Sequence, residues 1–197
     1  MELPLHCEAD YYPEFLTREE SDVLFNAIRA SCDLSSTRIK AGDGKTYTLD
    51  TGKCMFVDAP LLDQAKLTEA FGPRQLWLPE LLSIKQRIES VTGRRYNVAV
   101  CIYYPDGNAG VGFHSDLVAY GDTSSIATLS LGQARAFAFR SVDSPDDSYQ
   151  LCLSNGSLLI MGEHCQERYE HSLPIVPECT RPRINLTFRA YGWNSAE

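Results

Sequence analysis

The chain has 197 residues, of which 44% are hydrophobic and 22% charged, an ordinary globular composition with enough length for one sizeable core. Its formal net charge of −8 argues against a protein that grips phosphates over a broad basic surface. No apolar run reaches the roughly 20 residues a membrane helix needs, and Met1 to Pro13 carries acids rather than the basic start of a secretory signal. The expectation is one domain, monomeric, without membrane contact and cytoplasmic (nuclear in a eukaryote). The seven cysteines are odd in number and include no C-x-x-C pair, so reduced thiols are expected rather than a disulfide framework or a zinc site. Cys101 and Cys152 sit in apolar runs and read as small hydrophobes.

In chain order, Thr17-Arg18-Glu19-Glu20 is a capping box that opens a helix. Val23, Leu24, Ala27 and Ile28 follow at helical spacing. The Gly-, Thr- and Lys-rich stretch from Arg38 to Asp58 reads as one or two surface hairpins, with Tyr47-Thr48-Leu49 alternating as a strand does. A second helix is expected over Pro79 to Val91, with Leu81, Leu82, Ile84, Ile88 and Val91 inward and Thr92-Gly93 as its stop. From Asn97 onward the pattern is β throughout. Short strands are expected over Asn97 to Tyr104, Ser125 to Leu131, Ala134 to Arg140, Tyr149 to Leu153, Ser157 to Met161, Tyr169 to Ile175 and Arg183 to Tyr191. They are separated by turn signals such as Pro105-Asp106-Gly107 and Asn155-Gly156. The fold class this implies is α+β, mainly β: a double-stranded β-helix, or jelly roll, packed by N-terminal helices. Residues 96–193 form its core and residues 1–95 supply helical support and a candidate substrate lid.

Four histidines are present: His6, His114, His164 and His171. His114-Ser115-Asp116 is an H-x-D pair, and on an extended strand residues i and i+2 share a face. A histidine and a carboxylate so placed, with His171 from a later strand, form the two-His-one-carboxylate set that suits Fe(II) and leaves coordination positions open. The bland alternative is a surface His beside a surface Asp. In the last strand Arg183, Asn185, Thr187 and Arg189 alternate with Ile184, Leu186 and Phe188. Its polar face is either a solvated edge or a clamp for a dicarboxylate, work that a guanidinium does better than an ammonium. His164 reads as a loop residue and His6 as tail.

The segments His114-Ser115-Asp116, Ser157 to Met161, His171-Ser172-Leu173-Pro174 and Pro182 to Arg189 resemble the AlkB-type 2-oxoglutarate oxygenases. The similarity is marked toward the animal duplex-DNA repair members, including Leu131-Gly132 followed by Arg135, Phe137, Phe139 and Arg140. The resemblance implies that His114, Asp116 and His171 bind Fe(II). It implies that Arg183 pairs with the distal carboxylate of 2-oxoglutarate, that Arg189 lies near its keto-acid end, and that Tyr104 and Asn185 add hydrogen bonds. The implied reaction consumes O2 and 2-oxoglutarate, yields succinate and CO2, and hydroxylates a substrate C–H bond. On an N-methyl group the product loses formaldehyde.

Two positions depart from the family pattern. Ile102 stands where the family has an Asn that reaches 2-oxoglutarate, a loss of about one hydrogen bond or roughly 1 kcal/mol. Val118 stands where repair members have an acidic residue that contacts the damaged base. On the substrate side, Tyr47 and Phe56 are candidates to stack on a flipped base, with Arg38, Lys40, Lys45 and Lys53 meeting phosphates. The alternative is that these charges are a solvated face and the aromatics are core. Arg135 and Arg140 either line the cavity or decorate a sheet edge. The implied partner is an alkylated nucleic acid. The competing readings are the same chemistry on a small metabolite or a protein side chain, which Val118, Ile102 and the charge of −8 motivate, and a non-catalytic binding module on the same barrel.

Overall fold

The computed structural model describes residues 1–35, 37–40, 46–49, 51–64, 72–116 and 121–192, with the backbone alone at 37–40, 46, 47 and 49. Two sheets face each other. The larger has seven strands in the order β1 (Ala9–Tyr12), β11 (Ser157–Met161), β8 (Asp122–Gly132), β13 (Arg183–Ala190), β6 (Val98–Tyr104), β4 (Gly52–Val57), β5 (Arg74–Leu76). The smaller has four: β10 (Ser148–Leu153), β9 (Arg135–Ser141), β12 (Tyr169–Leu173) and β7 (Val111–His114). A separate hairpin joins β2 (Thr37–Lys40) and β3 (Thr46–Leu49). This is the jelly roll expected from the strand pattern.

Alternation along the large sheet sets its two faces. On the outer face Ala99, Cys101, Ala127, Leu129, Ile184, Leu186 and Phe188 form a core with Leu24 and Ile28 of α1 (Arg18–Ser31) and Leu81, Ile84 and Ile88 of α2 (Pro79–Thr92). The inner face and the small sheet enclose a second core that includes Tyr104, Ile126, Phe137, Phe139, Leu159 and Met161.

The start of α1 and the end of α2 follow the signals the sequence carries. The Thr17 hydroxyl accepts from the Glu20 amide, and the Glu20 carboxylate accepts from the Thr17 amide. Gly93 closes α2 at φ 66°, a left-handed turn that favours glycine. The buried stripes are narrower than expected. Val23, Leu82 and Val91 face outward, because each helix lies on the sheet along a single line of contact that Leu24 and Ile28, or Leu81, Ile84 and Ile88, already fill.

Several sequence expectations need correction. Cys7 and Cys165 form a disulfide across 158 residues, a pairing that no local spacing could reveal. Cys152 is exposed, because it points outward from β10 at the edge of the small sheet, whereas Cys101 is fully buried. His6 is not tail: its amide donates to the Tyr169 hydroxyl, and its carbonyl accepts from Arg168. Strand β1 and the short helix α3 (Cys165–Arg168) carried no periodic signal, being four residues each. No helix among the described residues is long and apolar enough to cross a membrane.

Candidate active site

The inner face of β13 and its neighbours builds a polar wall. In the register of β13 with β6, Arg183 lies opposite Tyr104, Asn185 opposite Ile102 and Thr187 opposite Val100. On the other flank Asn185 pairs with Ser130 and Thr187 with Thr128 of β8. The small sheet supplies the facing wall, where β12 sets His171 directly across from His114 of β7. Between the walls lies a cavity of about 120 Å³ lined by His114, Asp116, His171, Tyr104, Arg183 and Arg189, among others. Sequence reasoning placed these six at the site, and the fold brings them together.

His114, Asp116 and His171 present donor atoms that all lie within 4.8 Å of one another. Among the described residues no other group of three or more His, Cys, Asp or Glu side chains is so arranged. The imidazole rings of His114 and His171 sit 4.4 Å apart, and His114 Nε2 is 4.0 Å from Asp116 Oδ1. His114 Nδ1 lies 2.9 Å from the Gly112 carbonyl; donation there protonates Nδ1 and leaves the Nε2 lone pair facing the centre. Burial pulls the His171 imidazole down to about 4; Asp116 opposes this, and His114 and Arg189 add to it. At neutral pH His171 is therefore uncharged, as a metal ligand must be. Phe137 lies nearly parallel to its ring at 5.5 Å and fixes its plane.

The H-x-D geometry differs from the strand argument in one respect. β7 ends at His114, so Asp116 lies just beyond the strand rather than on its face. Its backbone amide donates to Gln166 Oε1 at 2.8 Å, and the Ser115 hydroxyl donates to the Tyr169 carbonyl. Gln166 is a residue that sequence reasoning missed, since a lone Gln in a polar loop carries no pattern.

Arg183 is 2% exposed and spends one terminal nitrogen on neutral partners, Ser130 Oγ at 2.8 Å and Asn185 Oδ1 at 2.9 Å. Its buried Nε has no hydrogen-bond partner, and among the described residues no carboxylate lies within 4 Å of it. Burial pulls this guanidinium down to about 10; Tyr104 opposes the shift and Arg135 adds to it. It remains cationic at pH 7. A buried cation with no counter-ion costs several kcal/mol, so the cradle fits a carboxylate supplied from outside. Arg189, 4% exposed, reaches toward Asp116, with Nη1 3.9 Å from Oδ1. Ile102 lines the cavity beside Tyr104 and offers no donor there.

The substrate-side candidates fare differently. Phe56 is fully buried on the outer face, where its ring packs against Trp77 at 6.4 Å. It is core and cannot stack on a base. Arg135 is 1% exposed and donates to the carbonyls of Asp106, Ala109 and Pro174. It neither lines the cavity nor decorates an edge; it ties the loop after β6 and the end of β12 to β9. Arg140 pairs with Glu170 and lies over the Phe113 ring on the outside of the small sheet. Tyr47 lies in β3 with its side chain outside what is described, and Lys45 and Val118 lie outside the described residues. A larger, open groove of about 1070 Å³ runs past α2 and α3. Its cations are paired, Lys85 and Arg95 with Glu89 and Arg94 with Glu163, so it is not a ready phosphate track.

With this geometry in place, the chain's kinship follows. Residues 8–189 match the 2OG-Fe(II) oxygenase superfamily, and the chain belongs to it. The family is one of Fe(II) and 2-oxoglutarate, with O2 as the co-substrate, and the two histidines, one carboxylate and buried cationic cradle fit that pair.

Among curated proteins it is 37% identical over 123 residues to the DNA oxidative demethylase ALKBH2 of Bos taurus, covering 57% of this chain and 44% of that protein. It is 35% identical over 126 residues to the alpha-ketoglutarate-dependent dioxygenase alkB homolog 3 of Mus musculus, covering 59% and 44%. The Bos taurus alkB homolog 3 is 36% identical over 186 residues, 90% of this chain and 64% of the relative. The first two matches thus span under half the length of those relatives. The solved structure of OsALKBH1 superposes with a TM-score of 0.65 at 16% identity, covering 95% of this chain and all of that one, which is a likeness of fold.

Proposed function

We propose that this protein is an Fe(II)- and 2-oxoglutarate-dependent dioxygenase that oxidatively demethylates alkylated nucleobases, acting as a monomer and a single oxygenase domain. The observation that supports the reading is one cavity holding both a His-Asp-His donor set and a buried guanidinium that has no anionic partner among the described residues. In this reading His114, Asp116 and His171 hold the metal on one face. Arg183 receives the distal carboxylate of 2-oxoglutarate, with Tyr104 and Asn185 completing the pocket and Arg189 beside the keto-acid end. Iron and 2-oxoglutarate together supply the activation of O2, at the expense of 2-oxoglutarate decarboxylation to succinate. Phe137, Met161 and Leu173 line the same cavity and give it an apolar side.

The nucleobase assignment rests on the kinship with relatives named as demethylases. A second reading, hydroxylation or demethylation of a small metabolite or protein side chain, draws on the charge of −8 and the apolar Val118. The test is to supply Fe(II), O2 and 2-oxoglutarate with and without a single-stranded oligonucleotide containing 1-methyladenine. Formaldehyde released in step with succinate, only with the methylated strand, supports the first reading. Slow succinate formation indifferent to the oligonucleotide transfers support to the second.

A further inference from the structure

Asp116 is the one member of the donor set that no strand holds. His114 ends β7 and His171 sits mid-strand in β12, each fixed by the small sheet's ladder. Asp116 follows two residues after the strand's end, and a carboxylate there can coordinate a metal only if its backbone is fixed by something else. Two hydrogen bonds do this. The Asp116 amide donates to Gln166 Oε1 at 2.8 Å, and the Ser115 hydroxyl donates to the Tyr169 carbonyl at 3.2 Å. Gln166 lies in α3, a single turn that would hardly persist alone.

The N-terminal strap fastens that turn. Cys7 joins Cys165 as a disulfide. The Glu8 amide donates to the Glu163 carbonyl and the Gly162 amide to the Glu8 carbonyl. Arg168 donates to the His6 carbonyl, and the His6 amide to the Tyr169 hydroxyl. The segment that backs the carboxylate is thus clasped from both sides by residues 6 to 8, more than 100 residues away in sequence.

We propose that Gln166 is a positioning residue for the metal ligand Asp116, and that the Cys7–Cys165 disulfide keeps its helix in place, so that reducing the disulfide weakens metal binding. This rests on the reading of His114, Asp116 and His171 as the metal site. Loss of a partner that holds a ligating side chain commonly costs roughly 10–100-fold in metal affinity; Gln166 holds the backbone of its ligand instead, so the lower end of that range is expected. The reductive step is thiol–disulfide exchange with an external dithiol, whose two thiols become a disulfide as Cys7 and Cys165 each gain a proton and an electron.

The experiment is an equilibrium titration of the metal-free protein with Mn(II), a redox-stable stand-in for Fe(II), followed by the paramagnetic resonance of the free ion. Gln166→Leu keeps the side chain's bulk and removes the acceptor; affinity should fall about tenfold, while the unfolding temperature measured without metal changes little. Gln166→Glu restores an acceptor at the same reach and should recover most of that affinity. Treating the wild type with dithiothreitol, or replacing Cys7 with Ser, should give a loss in the same direction, and dithiothreitol should then leave Cys7→Ser unchanged. Wild-type affinity in Gln166→Leu, or a loss that Gln166→Glu does not repair, overturns the positioning role. Affinity indifferent to reduction overturns the role of the disulfide. A wild type whose Mn(II) binding survives His171→Ala would instead refute the metal site itself, which keeps the two failures apart.

Discussion

The two faces of strand β13 carry opposite burdens on one backbone. Outward, Ile184, Leu186 and Phe188 are fully buried against α1 and α2, with Phe188 stacked on Trp77 and edge-on to Tyr96. Inward, Arg183, Asn185 and Thr187 form the polar wall of the cavity, in which Arg183 is as deeply buried but keeps a nitrogen without a partner. Burial therefore does not distinguish core from site in this molecule; what the terminal nitrogens of a buried guanidinium meet does. Arg135 makes the point from the small sheet. It is as deeply buried as Arg183 and likewise leaves Nε without a partner, but its two terminal nitrogens feed three backbone carbonyls and hold loops together. A stability role and a binding role can thus be separated experimentally by substitutions on the two faces.

The largest effect belongs to His171→Ala, which removes one of three metal donors. It should abolish turnover and drop metal affinity by at least a hundredfold, measured by succinate formation and by Mn(II) titration. Phe188→Ala, on the outer face, should cost about 4 kcal/mol of stability, read from denaturant unfolding. In the cold, where it remains folded, its 2-oxoglutarate affinity should stay near wild type. Arg183→Ala should do the reverse: stability close to wild type, and a 2-oxoglutarate requirement raised about a hundredfold, the loss of a buried charge-assisted pair worth ~2–3 kcal/mol. A Phe188→Ala protein that loses 2-oxoglutarate as badly as Arg183→Ala would erase the distinction between faces.

Glu89 tests the outer side by pH. Burial raises its carboxyl, but the Tyr96 amide, Lys85 and Arg95 outweigh burial and hold it below the ordinary 4.5. Its stabilising contribution is present above pH 4.5 and is lost as the pH falls below that value. Glu89→Gln should be about 2 kcal/mol less stable at neutral pH, and the gap should narrow on acidification, followed by urea unfolding across pH. The smallest effect is a gain. Ile102→Asn places a donor across from Asn185 in the cavity wall and should tighten 2-oxoglutarate binding by about 1 kcal/mol, roughly fivefold.

Much of this was readable from residues alone, for a physical reason. Strand β13 alternates with period two, so its polar and apolar faces separate in the sequence itself, and His114, Asp116 and His171 stand out because histidine is scarce. Helix α1 carried a capping box that marks its start, and α2 a glycine that marks its stop. What escaped was what depends on contacts across the chain: the Cys7–Cys165 disulfide, the clasp of residues 6 to 8 on α3, and Gln166 behind Asp116. Phe56 misled because an aromatic beside lysines looks the same whether it faces solvent or a helix layer; only the register of β4 with β6, Phe56 opposite Ala99, decides it. Arg135 misled in the same way, since alternation shows which way a side chain points but not what waits there.

The most direct test of the account is calorimetric titration of 2-oxoglutarate into the metal-free and the Mn(II)-loaded protein, for the wild type, Arg183→Ala and His171→Ala. The account predicts saturable one-to-one binding by the wild type that depends on the metal, is weakened about a hundredfold in Arg183→Ala and is lost in His171→Ala. Equal binding with and without Mn(II), or binding untouched by Arg183→Ala, would contradict it: the triad and the buried guanidinium would not then serve one ligand in one cavity.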